Sequence, residues 1–301
     1  MVKKYSLYVF ASCIWLSMAL SSCSLFTPPA IIPCYGHIDS IPLVITNFTQ
    51  GTSANGINTA WVYVDDNPVG AFQLPCTFPM IATTGQHVVT IFAGVENAGE
   101  ANNRMKYPFY SSYNIINATL TQGATVNFKP VVNYASWAVV KVIEDFDGSV
   151  QQINGITGGS AYGTSDTNMF IVNSPKANVY QGSGSGEVAV TANRPYFGIT
   201  TDTIDFTNNG QAMFLEMNYK CNNTFTIGII NTYNSPATTP AVVYIDTSST
   251  WKKMYINLQP TMAVSPSPTG YGYYIYFQVS LDQGNTVGQV FLDNIKLVRY
   301  N

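Results

Sequence analysis

Charged residues are scarce in this sequence. Asp, Glu, Lys and Arg make up 10% of the 301 residues, where about 25% is usual for a globular domain. The formal net charge is −3, and the lysines and arginines are scattered along the chain instead of forming a stripe. Nucleic-acid binding depends on a concentrated basic surface, so we expect no nucleic-acid partner.

Histidine is nearly absent, which limits both metal and acid–base chemistry. His37 and His87 are the only two, and no CxxC or paired Cys/His spacing predicts a zinc site. A catalytic histidine needs a nucleophile or a carboxylate in register, and no motif marks one. We therefore expect His87 to cap the start of a strand, and we expect the protein not to be an enzyme.

Long hydrophobic runs are also missing, because the apolar run over residues 7–20 is too short for a comfortable membrane span. It follows Lys3 and Lys4 and ends at Leu20-Ser-Ser-Cys23, as in a signal peptide. This ending resembles the bacterial lipobox, which implies a signal peptide over residues 1–22 and a lipid on Cys23. The alternative is an ordinary secretory signal with an incidental cysteine.

The lipobox resemblance implies a membrane-anchored protein of the bacterial cell envelope, of the outer-membrane lipoprotein type found in Bacteroidetes. Residues 23–37 contain Pro28-Pro29 and are predicted to form an extended tether behind the lipidated cysteine. The sequence leaves open which side of the outer membrane the protein faces.

Cysteine is sparse, with five in the chain. Cys13 belongs to the signal peptide and Cys23 to the lipid anchor. Cys34, at the end of the predicted tether, and Cys76, in the first domain, both lie beside prolines in an oxidising compartment and are predicted to form a disulfide. The alternative is that both are small buried hydrophobic residues. We expect Cys221 to pack at the end of a strand.

Aromatic residues are plentiful, with 20 tyrosines and 16 phenylalanines. Short runs of alternating apolar and polar residues are separated by turn residues, and no helical period lasts longer than a turn or two. Aromatic and β-branched residues in such runs favour strands. The sequence predicts an all-β protein, and the length that remains after the signal suits two domains.

The first predicted domain covers residues 38–138. Its segments Trp61-Val-Tyr-Val-Asp-Asp-Asn-Pro-Val-Gly70 and Gly85-Gln-His-Val-Val-Thr-Ile91 resemble those of PEGA-type domains, which implies an immunoglobulin-like or PEGA-like β-sandwich. No flexible Gly/Ser spacer separates this domain from the next, so we expect the two to share an interface.

The second predicted domain covers residues 139–301. It opens with Ile143-Glu-Asp-Phe-Asp-Gly148 and closes with Phe291-Leu-Asp-Asn-Ile-Lys-Leu297. The pair resembles the ends of galactose-binding-like domains, which include carbohydrate-binding modules. The resemblance implies a β-jelly roll. It is only a weak guide to function, because this fold hosts many unrelated activities.

A carboxylate lies within the last predicted strand. At a period of two, Phe291, Ile295 and Leu297 share one face with Asp293 among them. A buried carboxylate needs a cation or hydrogen-bond donors opposite it. The family resemblance favours a structural calcium ion, and the alternative is a charged loop balanced by lysines. The predicted calcium ligands are Glu144, Asp145, Asp147 and Asp293.

Two predicted strands carry polar and aromatic side chains on one face. Their outward residues, if both strands lie in one sheet, would form a surface for sugar rings and hydroxyls. The alternative is an ordinary solvated face of an antiparallel sheet. The candidate ligand-binding residues are Glu216, Asn218, Lys220, Tyr274, Tyr276 and Gln278.

These observations favour a non-catalytic envelope lipoprotein that binds carbohydrate, either a captured glycan or a cell-wall polymer, through its second domain. One alternative is a structural or accessory subunit of an outer-membrane protein complex. A further alternative is a glycoside-active enzyme that uses the acidic residues as an acid–base pair. The acidic positions match those that hold metal in the family, which disfavours the enzyme.

Overall fold

The computed structural model describes residues 32–153, 165–204, 210–231, 233, 241–268 and 271–301. Within these ranges the chain forms 18 strands, one short α-helix and two 3-10 turns. The predicted all-β class is confirmed. The predicted signal peptide and Cys23 lie outside the described residues.

The amino-terminal part is a sandwich of two sheets, which contain three and five strands. The sheet orders are β4-β1-β8 and β3-β2-β5-β6, with β7 also paired to β5. The strands are β1 (Cys34–Ile38), β2 (Thr59–Val64), β3 (Asn67–Gln73), β4 (Cys76–Met80), β5 (Gly85–Glu96), β6 (Arg104–Lys106), β7 (Tyr113–Leu120) and β8 (Thr125–Phe128), with a 3-10 turn at Phe48–Gln50.

The predicted tether over residues 23–37 is wrong at its carboxy-terminal end, where residues 34–37 belong to strand β1. It lies in the middle of the three-stranded sheet, antiparallel to β4 and parallel to β8. Cys34 and Ile38 are completely buried at its two ends. The segment is too short to show a clear alternation in the sequence, and only its two neighbouring strands make it part of the sandwich.

The carboxy-terminal part is a sandwich of a six-stranded and a four-stranded sheet with antiparallel pairing throughout, as in the predicted β-jelly roll. The sheet orders are β10-β11-β18-β13-β16, with β9 also paired to β18, and β12-β17-β14-β15. The elements are β9 (Ala138–Glu144), β10 (Met169–Val172), β11 (Ser185–Thr191), β12 (Tyr196–Thr200), β13 (Met213–Cys221), β14 (Phe225–Asn231), β15 (Ala241–Ile245), β16 (Ser248–Asn257), α1 (Gln259–Val264), β17 (Tyr273–Ser280) and β18 (Val287–Tyr300), with a 3-10 turn at Lys176–Asn178.

The two sandwiches share an apolar interface. Phe214, Tyr255 and Val298 lie on the outer face of the six-stranded sheet, yet they belong to the hydrophobic core of the first sandwich. The ring of Phe214 lies 5.1 Å from that of Tyr107 and 6.1 Å from that of Phe109, measured between centroids. The first sandwich therefore covers part of the jelly-roll surface.

Strand β18 contains a β-bulge at Asn294. Asn218 of β13 lies opposite Asp293, whereas Glu216 lies opposite Lys296, so β18 carries one extra residue between these two pairs. Asn294 has a left-handed φ of 49°, which asparagine tolerates better than most residues do. The bulge shifts the residues that follow it by one position.

The predicted apolar face of β18 is wrong because of this bulge. Leu292 before it, and Ile295 and Leu297 after it, all point into the jelly-roll core. Phe291 and Asp293 therefore point outward, away from Ile295 and Leu297. A strict period of two placed these residues on one face, and the extra residue at the bulge inverts the alternation.

Candidate functional site

The two strands predicted to form one ligand surface lie in different sheets. Strand β13 is in the six-stranded sheet and β17 is in the four-stranded sheet. Glu216, Asn218 and Lys220 therefore do not share a face with Tyr274, Tyr276 and Gln278. Alternation along each strand is visible in the sequence, but the sheet to which a strand belongs is not.

Glu216 is buried in the interface between the sandwiches. Its carboxylate accepts hydrogen bonds from the hydroxyls of Tyr107 at 2.7 Å and Tyr134 at 3.0 Å, and Lys253 Nζ lies 3.1 Å away. Burial, and then the charge of Glu216, raise the pKa of both phenols well above their usual value. The carboxylate binds the two sandwiches together and does not face solvent.

Asn218 and Lys220 are also covered by other parts of the chain. Asn218 is buried. Lys220 Nζ donates to Ala177 O at 2.8 Å and Asn178 Oδ1 at 3.2 Å, and it lies 5.5 Å from the ring centroid of Phe291. The 3-10 turn at residues 176–178 lies over this end of β13. The polar side of β13 is therefore a packed interface and not the predicted sugar surface.

The acidic residues at the two ends of the jelly roll do come together, because Glu144 of β9 pairs with Ile295 of β18. The buried Glu144 carboxylate accepts hydrogen bonds from the backbone N–H of Phe146 at 2.8 Å and of Ile153 at 3.3 Å. Its role in the structure is to hold the turn that follows β9.

Asp293 is buried and bonded to hydrogen-bond donors. It accepts from Ser185 Oγ at 2.7 Å and from the backbone N–H of Asn294 at 2.6 Å. Burial raises the pKa of Asp293 to about 7, although these hydrogen bonds act in the opposite direction. The expectation of a partner for this carboxylate is thus met by donors within the chain.

The other two acidic residues are exposed. Asp147 accepts from Ser183 Oγ at 3.1 Å, and Asp145 accepts from the backbone N–H of Asp147 at 3.2 Å. Across the described residues, no three His, Cys, Asp or Glu side chains form a group that could hold a metal ion. The calcium ion stays a prediction.

The predicted disulfide is not formed, and both cysteines are free thiols. Cys34 lies opposite Met80 and Cys76 lies opposite Ile38. The two cysteines are thus four residues out of register along one strand pair, which corresponds to about 13 Å, beyond the reach of a disulfide. Cys34 donates instead to Met80 O at 3.2 Å.

Tyr274, Tyr276 and Gln278 share the outer face of the four-stranded sheet, as the period of two predicts. The residues between them, Ile275 and Phe277, are buried in the jelly-roll core. Two rows of residues cross this outer face from strand to strand. They are Gly198, Gln278, Thr226 and Tyr244 in the first, and Thr200, Tyr276 and Gly228 in the second.

Two tyrosine rings lie against glycines on this face of the sheet. A Cβ at Gly228 would come within 2.3 Å of the Tyr276 ring. A Cβ at Gly198 would come within 2.8 Å of the Tyr196 hydroxyl. Any larger residue at these two positions would displace the rings. The glycines therefore determine how the tyrosines lie.

We call this surface the tyrosine platform. Tyr276 is only 8% exposed, whereas Tyr244 on the edge strand β15 is 77% exposed. Tyr274 and Gln278 are half-buried between these extremes. Sequence reasoning missed Tyr196, Thr226 and Tyr244, because their strands could not be assigned to this sheet. The platform consists of Tyr196, Thr226, Tyr244, Tyr274, Tyr276 and Gln278.

A cleft of about 240 Å³ lies beside the platform at strand β12. Its lining includes Gln151, Ser165 and Asn168. Ser165 Oγ donates to Gly198 O at 2.6 Å, and the Asp166 carboxylate accepts from the backbone N–H of Tyr196 at 3.0 Å. Hydroxyl, amide and carboxylate groups thus border the flat rings on this side.

No family model and no curated protein matches the chain. Solved structures with similar regions include a family 29 carbohydrate-binding module complexed with cellulohexaose. That match has 12% sequence identity and a TM-score of 0.34, and it covers 55% of this chain and 93% of the module. A family 16 carbohydrate-binding module has 15% identity and a TM-score of 0.28, with 43% and 84% covered.

The enzymatically active domain of tailspike protein 4 from bacteriophage CBA120 is another similar structure. The match has 20% identity and a TM-score of 0.34 and covers 43% of this chain. It spans only 17% of the tailspike chain.

Proposed function

We propose that this protein binds carbohydrate at the tyrosine platform. The observation that carries the proposal is the outer face of the four-stranded sheet, where the partly exposed ring of Tyr196 lies against Gly198 and the exposed ring of Tyr244 ends the row that contains Gln278 and Thr226. A flat aromatic ring offers an apolar face that matches the C–H face of a sugar ring. A surface of such rings edged by polar groups suits a chain of sugars better than a compact apolar ligand.

The polar groups of the platform match the hydroxyls of a sugar. Gln278 and Thr226 are adjacent in the row that leads to Tyr244, and they supply an amide and a hydroxyl beside an exposed ring. Amides and hydroxyls can both donate and accept hydrogen bonds. The exposed Tyr244 is then the side chain that contacts the sugar most directly.

The proposed activity is binding without catalysis. The buried carboxylates of Glu144 and Asp293 are occupied by hydrogen bonds from the chain, so this acidic pair is a poor candidate for glycoside hydrolysis. A binding role also agrees with a platform that offers rings, an amide and a hydroxyl.

We further propose that lipidation at Cys23 holds the protein at a bacterial envelope membrane. The lipobox-like Leu20-Ser-Ser-Cys23 supports this anchor. Among the described residues, no helix is long and apolar enough to cross a membrane.

Glycan binding is tested by affinity electrophoresis of the chain from Cys23 onward, in gels that contain soluble β-glucan, mannan or xylan. Both sandwiches are needed in this test because they share a core. We expect retention on at least one glycan, and we expect Tyr244→Ala and Gln278→Ala each to weaken it about tenfold. Tyr35→Ala, an exposed tyrosine on β1, is the matched control. Retention on none of the glycans, or equal loss in the control, would contradict the proposal.

The predicted calcium ion is tested by thermal unfolding with and without a chelator. A bound calcium ion predicts that chelation lowers the melting temperature, because an ion that binds only the folded state stabilises it. Asp293→Ala should remove this sensitivity, and Asp145→Ala, at the exposed position, should reduce it less. A melting temperature that does not change on chelation or on added calcium would rule the ion out.

A further inference from the structure

A second aromatic surface lies on the first sandwich, on the outer face of its five-stranded sheet. Trp61 and Tyr63 of β2 alternate with the buried Ala60, Val62 and Val64, so their rings point away from the core. Phe92 of β5 is the neighbour of Trp61 across the sheet. We call the set Trp61, Tyr63, Phe92 and Lys106 the lysine–aromatic patch.

The patch is not part of either hydrophobic core. Both core clusters, as defined over the described residues, omit Trp61, Tyr63 and Phe92, which are only partly buried. The rings of Tyr63 and Phe92 meet edge to face, with centroids 5.6 Å apart. This large apolar surface is therefore arranged on the outside of the protein.

The ring of Trp61 packs against Gly94 of β5, as the tyrosines of the platform pack against glycines. A Cβ at Gly94 would come within 2.8 Å of the Trp61 indole nitrogen. This nitrogen is enclosed and has no hydrogen-bond acceptor among the described residues. Shape, and not a hydrogen bond, thus fixes the ring, and an enclosed N–H without an acceptor costs stability.

Lys106 lies over the aromatic rings. Its Nζ is 4.9 Å from the ring centroid of Tyr63, 5.0 Å from that of Phe92 and 5.8 Å from that of Trp61. It donates to the Tyr63 hydroxyl at 2.9 Å. The rings hold the exposed ammonium group in place by cation–π attraction.

Lys106 forms no salt bridge with any carboxylate among the residues that the structure describes. The salt bridges found there involve other residues. Arg104 on the same strand is already paired, with Glu96 at 3.4 Å and with Gln73 at 3.0 Å. The patch therefore presents one fixed, unpaired cation beside an aromatic surface.

We propose that the lysine–aromatic patch binds an acidic glycan, with a uronate carboxylate on Lys106 and a sugar face on Trp61. A charge-assisted hydrogen bond from an ammonium group to a carboxylate is stronger than a neutral one, and the flat indole suits a sugar ring. The site is separate from the tyrosine platform and does not depend on it. Together the two surfaces would let one molecule hold a polymer at two points.

The test is affinity electrophoresis of the chain from Cys23 onward with polygalacturonate and with its fully methyl-esterified form. We expect retention by polygalacturonate, weakened about tenfold by Trp61→Ala and by Lys106→Gln. Esterification removes the carboxylate charge, so it should lower retention of the unmodified protein to the level of Lys106→Gln. Tyr35→Ala, which removes an exposed tyrosine of β1 that belongs to neither surface, should leave polygalacturonate retention unchanged.

Lys129→Gln, which removes an exposed lysine elsewhere, is the matched control, and the melting temperature of each variant confirms folding. The proposal is overturned if polygalacturonate does not retain the protein, or if folded Trp61→Ala binds it normally. It is also overturned if Lys129→Gln weakens retention as much as Lys106→Gln does, or if poly-glutamate competes as well as galacturonate oligomers, because either result would show attraction to charge alone.

Discussion

At the scale of single residues, a chain that is poor in charge still buries several charged groups where its two sandwiches meet. Lys296 is fully buried, and its Nζ donates to Thr52 O at 2.7 Å. The groups that face it are Glu216, Lys253 and the ring of Tyr134. Burial, and then the neighbouring Lys253, lower the pKa of Lys296 to about 8, while Glu216 opposes this shift.

The lowered pKa of Lys296 predicts that the contribution of this residue to stability rises at alkaline pH. An unfolded lysine titrates near pH 10.4, so between about pH 8 and 9.5 this side chain binds more protons in the unfolded state than in the folded state, and its contribution to stability increases with pH. We expect this residue to contribute roughly 1 to 2 kcal/mol over that window. Groups whose pKa is raised by burial act in the opposite direction, because the thiols of Cys34, Cys76 and Cys221 and, at higher pH, the buried tyrosines lose protons on unfolding.

The measurement is urea unfolding of the wild type and Lys296→Met at several pH values in this window. The difference in unfolding free energy between them should grow with pH, whereas Lys129→Met, at an exposed site, should run parallel to the wild type. Parallel curves for Lys296→Met would show that the buried amine does not titrate in this range.

At the scale of secondary structure, the bulge at Asn294 determines which side chains of β18 reach the interface. Thr52 Oγ1 donates to Asn294 Oδ1 at 3.0 Å, so the bulge also contacts the first sandwich. Beyond the bulge, Val298 packs in the core of the first sandwich. Without the extra residue, Ile295 and Leu297 would point into the interface instead of the jelly-roll core.

The backbone at Asn294 can be tested with two substitutions that remove the same side-chain hydrogen bond. Asn294→Gly keeps the left-handed conformation accessible, whereas the β-branched side chain in Asn294→Val opposes it. We expect the valine variant to be less stable than the glycine variant by roughly 1 to 2 kcal/mol, as measured by urea unfolding. Equal stabilities would mean that the strand has lost its bulge.

At the scale of the whole molecule, the two sandwiches share a continuous packed interface. Nearly every residue of β13 is buried, because one face packs into the jelly-roll core and the other against the first sandwich or the 3-10 turn. Glu216 and its tyrosine partners add hydrogen bonds across the same interface. Each sandwich on its own would expose the apolar residues that the other one covers.

This shared interface predicts a single cooperative unfolding transition. Calorimetry of the chain from Cys23 onward should give a van't Hoff enthalpy equal to the measured enthalpy. Phe214→Ala should lower the one melting temperature, because it opens a cavity worth about 3 to 5 kcal/mol in the interface. Two resolved transitions in the wild type would show that the sandwiches unfold independently.

Individual residues differ in whether their position in the fold could be predicted from the sequence. The alternation in Tyr273–Ser280 correctly separated Tyr274, Tyr276 and Gln278 from the core, because the pleat of a strand is a local property. The same alternation at β13 led to a wrong prediction of an open surface. Polar residues are found both on a solvated sheet face and in an interface between sandwiches, so the pattern does not distinguish the two. Cys34 and Cys76 could not be placed, because their register depends on strand pairing.

The sequence by itself determined the all-β class, most strand positions and the likeness of the two ends of the jelly roll, because these follow from periodicity and turn residues close together in the chain. Only the tertiary structure decided which strands share a sheet, where β18 bulges and which faces are covered. Those features arise from contacts between residues far apart in the chain, such as Glu216 with Tyr107, and one local pattern is compatible with several such arrangements.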